Sequence, residues 1–157
     1  MTIEIFTNPI WLEIRQKSHL EVQDIPDPVA KDNARAGLDK EDEIRRCMDD
    51  GFAQVYRRCV RFLKDQYATF TDDAAYGDKS NAKPVSHVYI FDFSERRGFN
   101  KAEPLTAAIH ELVVQYALSE FYSTVNQGEL SKKHSLQAAA AADMIDEMLY
   151  YKKPPRV

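Results

Sequence analysis

Apolar residues recur at steps of three and four through the middle of the chain. Ile44, Met48, Phe52, Val55, Cys59, Leu63, Tyr67 and Phe70 form one stripe. That spacing predicts an amphipathic helix over about 39–70. Asp39 suits its cap, and Asp42 and Glu43 suit the positive end of its dipole. Gly51 is a weak point, since Gly costs about 1 kcal/mol against Ala inside a helix. A second run, from Pro104 or Leu105 to Val125, is apolar on most sides, which predicts a buried central helix. Asn126-Gln127-Gly128 stops it, with Gly128 expected at C′. A further helix follows from about Leu130 to Tyr151. Five alanines, Ala138 to Ala142, let a neighbour come close, and Leu136, Met144, Ile145, Met148 and Leu149 supply its apolar face. So short a connection makes these last two helices antiparallel neighbours.

The ends and the middle read differently. Asn8-Pro9 resembles a cap followed by a first-turn proline, so a short helix is predicted from Pro9 to about Val22 with Ile10, Trp11, Ile14 and Ser18 on one face. Pro26 and Pro28 forbid its continuation, which predicts an extended connector over 24–37. Residues 71–84 are polar and turn-prone and read as an exposed loop. From Val85 to Phe93 the period changes to two. Val88 and Ile90 alternate with His87, Tyr89, Phe91 and Phe93, as in a strand with two apolar faces. Ser94 to Gly98 then suits a hairpin loop, with Phe99–Glu103 as a short return strand or an approach to the next helix. The expected fold is mainly α: a bundle of three to four helices with a small β-hairpin and extended terminal arms. It forms a single domain over 1–157. Residues 1–37 are the N-terminal arm with its short helix, 38–151 the bundle with loop and hairpin inserted at 71–103, and 152–157 a basic tail.

Composition narrows the classes. The 157 residues suffice for one core, and 44% hydrophobic with 29% charged argues against disorder. A net charge of −4 does not suit a general nucleic-acid coat. No apolar run approaches the roughly 18 residues that span a bilayer, and Met1 to Phe6 does not read as a secretory signal. Cys47 and Cys59 lie twelve positions apart on one predicted helix. That places them ~18 Å apart, too far for a disulfide, so they read as core thiols.

Candidate chemistry is sparse. His110-Glu111 begins like a zinc-protease helix, but Val114 stands where the second histidine belongs. His19, His87 and His134 lie on separate predicted elements and read as surface or structural. Asp72, Asp73 and Asp78 lack the EF-hand spacing. No cofactor is expected. Two patches have open readings. Arg57, Arg58, Arg61 and Lys64 form either a solvated helix face or a patch for nucleic acid or an acidic protein. Tyr89, Phe91, Arg96, Arg97 and Phe99 either cover the helical core or form an interface, where Arg and aromatic residues are enriched.

The stretch from Leu105 to Val157 carries a family pattern. It has the aromatic helix end Tyr116-Ala117-Leu118-Ser119-Glu120-Phe121-Tyr122, the tight Asn126-Gln127-Gly128 turn, the alanine-rich second helix, and the basic tail Lys152-Lys153-Pro154-Pro155-Arg156. In this it resembles the C-terminal helical pair of head–tail connector proteins of tailed bacteriophages, also called adaptor, neck or ring proteins. The resemblance implies a non-enzymatic virion protein of the neck region, assembled in the host cytoplasm. It implies a homo-oligomeric ring, commonly of twelve copies, docked on a portal protein, meeting tail or further neck proteins, and lining a channel through which DNA passes without sequence-specific contact. By position in that layout, Lys152, Lys153, Pro154, Pro155, Arg156 and Val157 would meet the portal. Tyr89, Phe91, Arg96, Arg97 and Phe99 would meet a neighbour or tail component. No membrane partner is implied.

Overall fold

The computed structural model describes residues 2–64, 69–72, 87–94 and 102–150. Among these residues, five helices pack around one core, and a small antiparallel sheet closes one side. The expected helical bundle with a small β element is what the chain forms.

Strand β1 (Thr2–Phe6) opens the chain and runs directly into helix α1 (Thr7–Glu21). Its alternation buries Ile3 and Ile5 and exposes Thr2, Glu4 and Phe6, the period of a half-buried strand. In α1, Thr7, Ile10, Trp11, Ile14 and Ser18 are buried, the expected face extended by one residue. The segment expected as an N-terminal arm is therefore part of the core. The expected connector also folds. Asp27 accepts a hydrogen bond from the Val29 N–H at 3.1 Å, and Pro28 opens a short helix, α2 (Pro28–Ala34). A first-turn proline forfeits no helical hydrogen bond, so the residue that forbids a continued helix starts a new one. The Lys40 ammonium donates to the Asp32, Asn33 and Arg35 carbonyls at 2.8, 2.7 and 2.9 Å, closing the C-terminal end of α2. Ser18 ties α1 to this segment. Its hydroxyl donates to the Ala34 carbonyl at 3.1 Å and accepts from the Ala36 N–H at 2.7 Å.

Helix α3 (Glu41–Cys59) is shorter than the stripe suggests. A 3-10 turn over Val60–Phe62 follows, and Leu63 then turns extended and bridges Phe93. The Lys64 N–H donates to the Asp92 carbonyl at 2.8 Å, and the Ser94 N–H to the Phe62 carbonyl at 2.9 Å. These non-local bonds take over backbone groups that another helical turn would have used. Strand β2 (Thr69–Asp72) occupies positions expected as helix end and loop. It pairs with β3 (His87–Asp92), and β1 pairs with the other edge of β3. The partners of the expected hairpin strand thus precede it in sequence. Phe91 and Phe93 point into the core opposite Ile3 and Leu63, while Val88 and Ile90 are half-buried.

Helix α4 (Ala102–Thr124) is the central rod, with Leu105, Ile109, Leu112, Val113, Leu118, Phe121 and Tyr122 all buried. Helix α5 (Gly128–Tyr150) returns antiparallel along it. Asn126, at φ 60°, takes the left-handed C′ position expected of Gly128. The Gln127 N–H reaches the Tyr122 carbonyl at 2.9 Å, as in a Schellman ending. On α5, Ala138, Ala141, Ala142, Ile145 and Leu149 face the core. Leu136 and Met144, expected on that face, are 65% and 51% exposed.

Candidate functional site

The Arg-rich face becomes one wall of a groove. Arg57 and Arg58 close the last turn of α3, and Arg61 sits in the 3-10 turn. Asp146, Glu147 and Tyr150 from the end of α5 form the opposite wall, and the open space between is about 690 Å³. Cys59 and Phe62 beneath it are buried, and Phe62 meets the Tyr150 ring edge-on at 5.0 Å. Arg58 is ion-paired with Asp146. Arg57 and Arg61 are exposed and have no ion pair among the described residues. Lys64, expected on the same patch, is exposed but does not line the groove. Sequence spacing places the arginines; the two acids come from 85 or more positions away, and no local signal points to them.

The aromatic strand is spent inside the chain. Phe91 is fully buried, which removes it from any surface. The Tyr89 ring stacks on Phe52 at 3.7 Å, with planes 9° apart, and its hydroxyl donates to Asp49 Oδ1 at 2.9 Å. For these two residues the structure corrects the interface reading in favour of core cover. Arg96, Arg97 and Phe99 lie outside the described residues, as do Lys152, Lys153, Pro154, Pro155, Arg156 and Val157, and Asp73 and Asp78 of the polar loop.

A buried polar chain crosses three helices. The His134 ring on α5 meets Glu21 Oε1 and Oε2 through Nε2 at 2.9 and 2.8 Å, and Gln115 Oε1 through Nδ1 at 2.5 Å. The Gln115 amide donates to Glu111 Oε1 at 2.7 Å. Lys133 reaches Glu21 at 3.3 Å, and the Tyr122 ring stacks on His134 at 5.5 Å. Burial pushes the Glu21 carboxyl up, but its bonds and charge contact with His134 and Lys133 outweigh this and hold it below the usual carboxylate range. The one sequence signal for this chain is Gln115, a polar residue amid an otherwise apolar stretch of α4. His110 engages a different carboxylate, Glu13, at 2.5 Å, while His19 Nε2 is buried and has no hydrogen-bond partner among the described residues. His87 lies in β3. Among the described residues, no three His, Cys, Asp or Glu side chains gather to hold a metal. Burial pushes both thiols, Cys47 and Cys59, up to about 12.

A third cluster joins α3 and α4. Burial, together with hydrogen bonding to Asp50 and its charge, pushes Glu120 up to about 7 against the opposing pull of Arg46 and Cys47. The unfolded carboxyl ionises near 4.5. Between these values the unfolded chain releases a proton that the folded chain keeps, so stability falls as pH rises and the cost is complete above about 7. Glu120→Gln removes the cost. Thermal unfolding should show the variant more stable than the parent by about 2 kcal/mol at pH ~8 and equal to it near pH ~4.

Among the described residues, no helix is long and apolar enough to cross a membrane. No protein-family model, curated protein or solved structure matches this chain.

Proposed function

We propose that the protein is a virion assembly subunit: a head–tail connector, or neck-ring, protein that packs beside copies of itself, docks on a portal and takes no part in catalysis. The observation that carries this reading is the double-sided character of α5. Its inner side packs on α4 through Ala138, Ala141, Ala142, Ile145 and Leu149. Its outer side carries Leu136, Ala140 and Met144 at successive steps of four, all exposed. A helix with apolar residues on both sides suits a subunit that buries the second side against another chain. The resemblance over Leu105–Val157 adds the partner class, and the basic tail 152–157 is the proposed portal contact. A nucleic-acid role for Arg57, Arg58 and Arg61 has less support, because Asp146 and Glu147 stand in the same groove.

Native mass spectrometry of the chain mixed with the portal protein of its own genome tests the reading. A defined multi-copy complex is expected. A stable lone monomer that binds no portal ring would count against it.

A further inference from the structure

The two ends of α3 carry opposite charges that have no ion-pair partner among the described residues. At its C-terminal end, the exposed guanidinium groups of Arg57 and Arg61 open onto the groove, whose edge is Tyr150, 49% exposed. At the other end a 3-10 turn, Leu38–Lys40, leads into the helix. There Leu38 is 66% exposed, and Asp39 and Asp42 are exposed without an ion pair among the described residues. Lys40, the one cation in that turn, is spent on the carbonyls that end α2. One end is therefore an apolar tip flanked by carboxylates, and the other a groove with an aromatic edge, the Glu147 carboxylate and two guanidinium groups that have no ion pair among the described residues. The two ends stand ~28 Å apart along a helix of 19 residues. A chain cannot bring its own tip to its own groove across that distance, but a second copy can.

We propose that the acidic tip Leu38-Asp39-Asp42 of one copy seats in the Arg57–Arg61–Tyr150 groove of the next. This deepens, and rests on, the ring-subunit reading by naming the contact between neighbours. Asp39 and Asp42 meet Arg57 and Arg61, while Leu38 covers the Tyr150 ring. Arg and Tyr are residue types that carry binding energy at protein interfaces. Such a contact is heterologous: each copy offers a tip at one end and a groove at the other, and the series closes into a ring when the rotation per copy divides a full turn. Arg58 and Asp146, already paired, hold the groove wall in shape rather than contribute charge to the neighbour; Glu147 offsets one of the two remaining guanidinium charges, so the groove keeps a small net positive charge that suits a short acidic tip and not a polyanion. Charge contacts at this rim are salt-sensitive, so association should weaken as salt rises.

The test is a charge swap read by sedimentation velocity on the full chain. The double variants Arg57→Glu/Arg61→Glu and Asp39→Lys/Asp42→Lys are each expected to weaken self-association by roughly tenfold or more at low salt. All four positions are exposed, and unchanged circular dichroism would establish that both variants fold. An equal mixture of the two variants should restore assembly, because Glu grooves then receive Lys tips and Arg grooves receive Asp tips. The fourfold variant should recover on its own for the same reason. Assembly of the parent that neither double variant weakens, or a mixture that fails to recover, overturns the proposed contact and leaves the ring reading standing. A parent chain that stays monomeric both alone and on a portal ring overturns both.

Discussion

Gly51→Leu is expected to destabilise the protein by about 3 kcal/mol, lowering its melting temperature by about 10 °C. The cause is a close approach of α3 to α4. A Cβ placed at Gly51 would lie 3.3 Å from Val113 Cα and 3.4 Å from both Val113 Cγ1 and the Val113 carbonyl oxygen. Two of those three atoms are backbone of α4, which α5 and α1 hold from other sides. A side chain there can be accommodated only by moving the central rod. Gly51→Ala is the sharper comparison. Helix propensity alone favours alanine by about 1 kcal/mol. Here the crowding should cancel that gain and leave a net loss. Chemical denaturation of the parent and both variants measures the series, and a stabilised Gly51→Ala would contradict the close packing of α3 on α4. The glycine that looks like a flaw in the helical stripe is the residue that lets these two helices meet.

His134→Ala is expected to cost about 3 kcal/mol near neutral pH. Its side chain is 2% exposed and satisfies Glu21 on one side and Gln115 on the other. Truncation leaves the Glu21 carboxylate, itself 14% exposed, with Lys133 as its one ion-pair partner among the described residues. Removing one member of a buried pair costs more than removing both, so adding Glu21→Leu should recover part of the loss. The pH dependence has a definite sign. The folded Glu21 carboxyl is held below its ordinary value of 4.5. Its pairing therefore stabilises the fold above that value, and the contribution is lost as pH falls through the folded pKa. The deficit of His134→Ala should accordingly narrow in acid. Thermal unfolding across the acid range reads this directly, and a deficit that stays constant would mean that lost packing against Tyr122 alone accounts for it.

Elements whose pattern is local and long could be read from the sequence. The buried face of α1, the all-round burial of α4 and the antiparallel return of α5 follow from spacing and a short turn. Elements that depend on distant partners could not. Thr-Ile-Glu-Ile-Phe alternates clearly, yet five residues do not announce that their partner is β3, some 85 positions away. The α3 stripe misleads beyond Cys59 because Leu63 is buried in either arrangement, as a helical residue or as a bridge to Phe93. Leu136 and Met144 mislead in the opposite sense. Alanines already let α5 lie close to α4, so the larger residues fall outside. The candidate site divides in the same way. Arg57, Arg58 and Arg61 are visible as a run on one helix end, whereas the groove needs Asp146, Glu147 and Tyr150 from α5. Tyr89 and Phe91 have the composition of an interface but pack inward, since residue type does not say which side of a strand meets the core.

The most direct measurement is cryo-electron microscopy of the full chain mixed with the portal ring of its own genome. Copies of the chain should form a closed ring coaxial with the portal. Within it, Leu38 to Asp42 of each copy should lie against Arg57 and Arg61 of the next, and Leu136 and Met144 should be covered. Portal particles without added density, beside single copies of the chain free in solution, would contradict the assembly role.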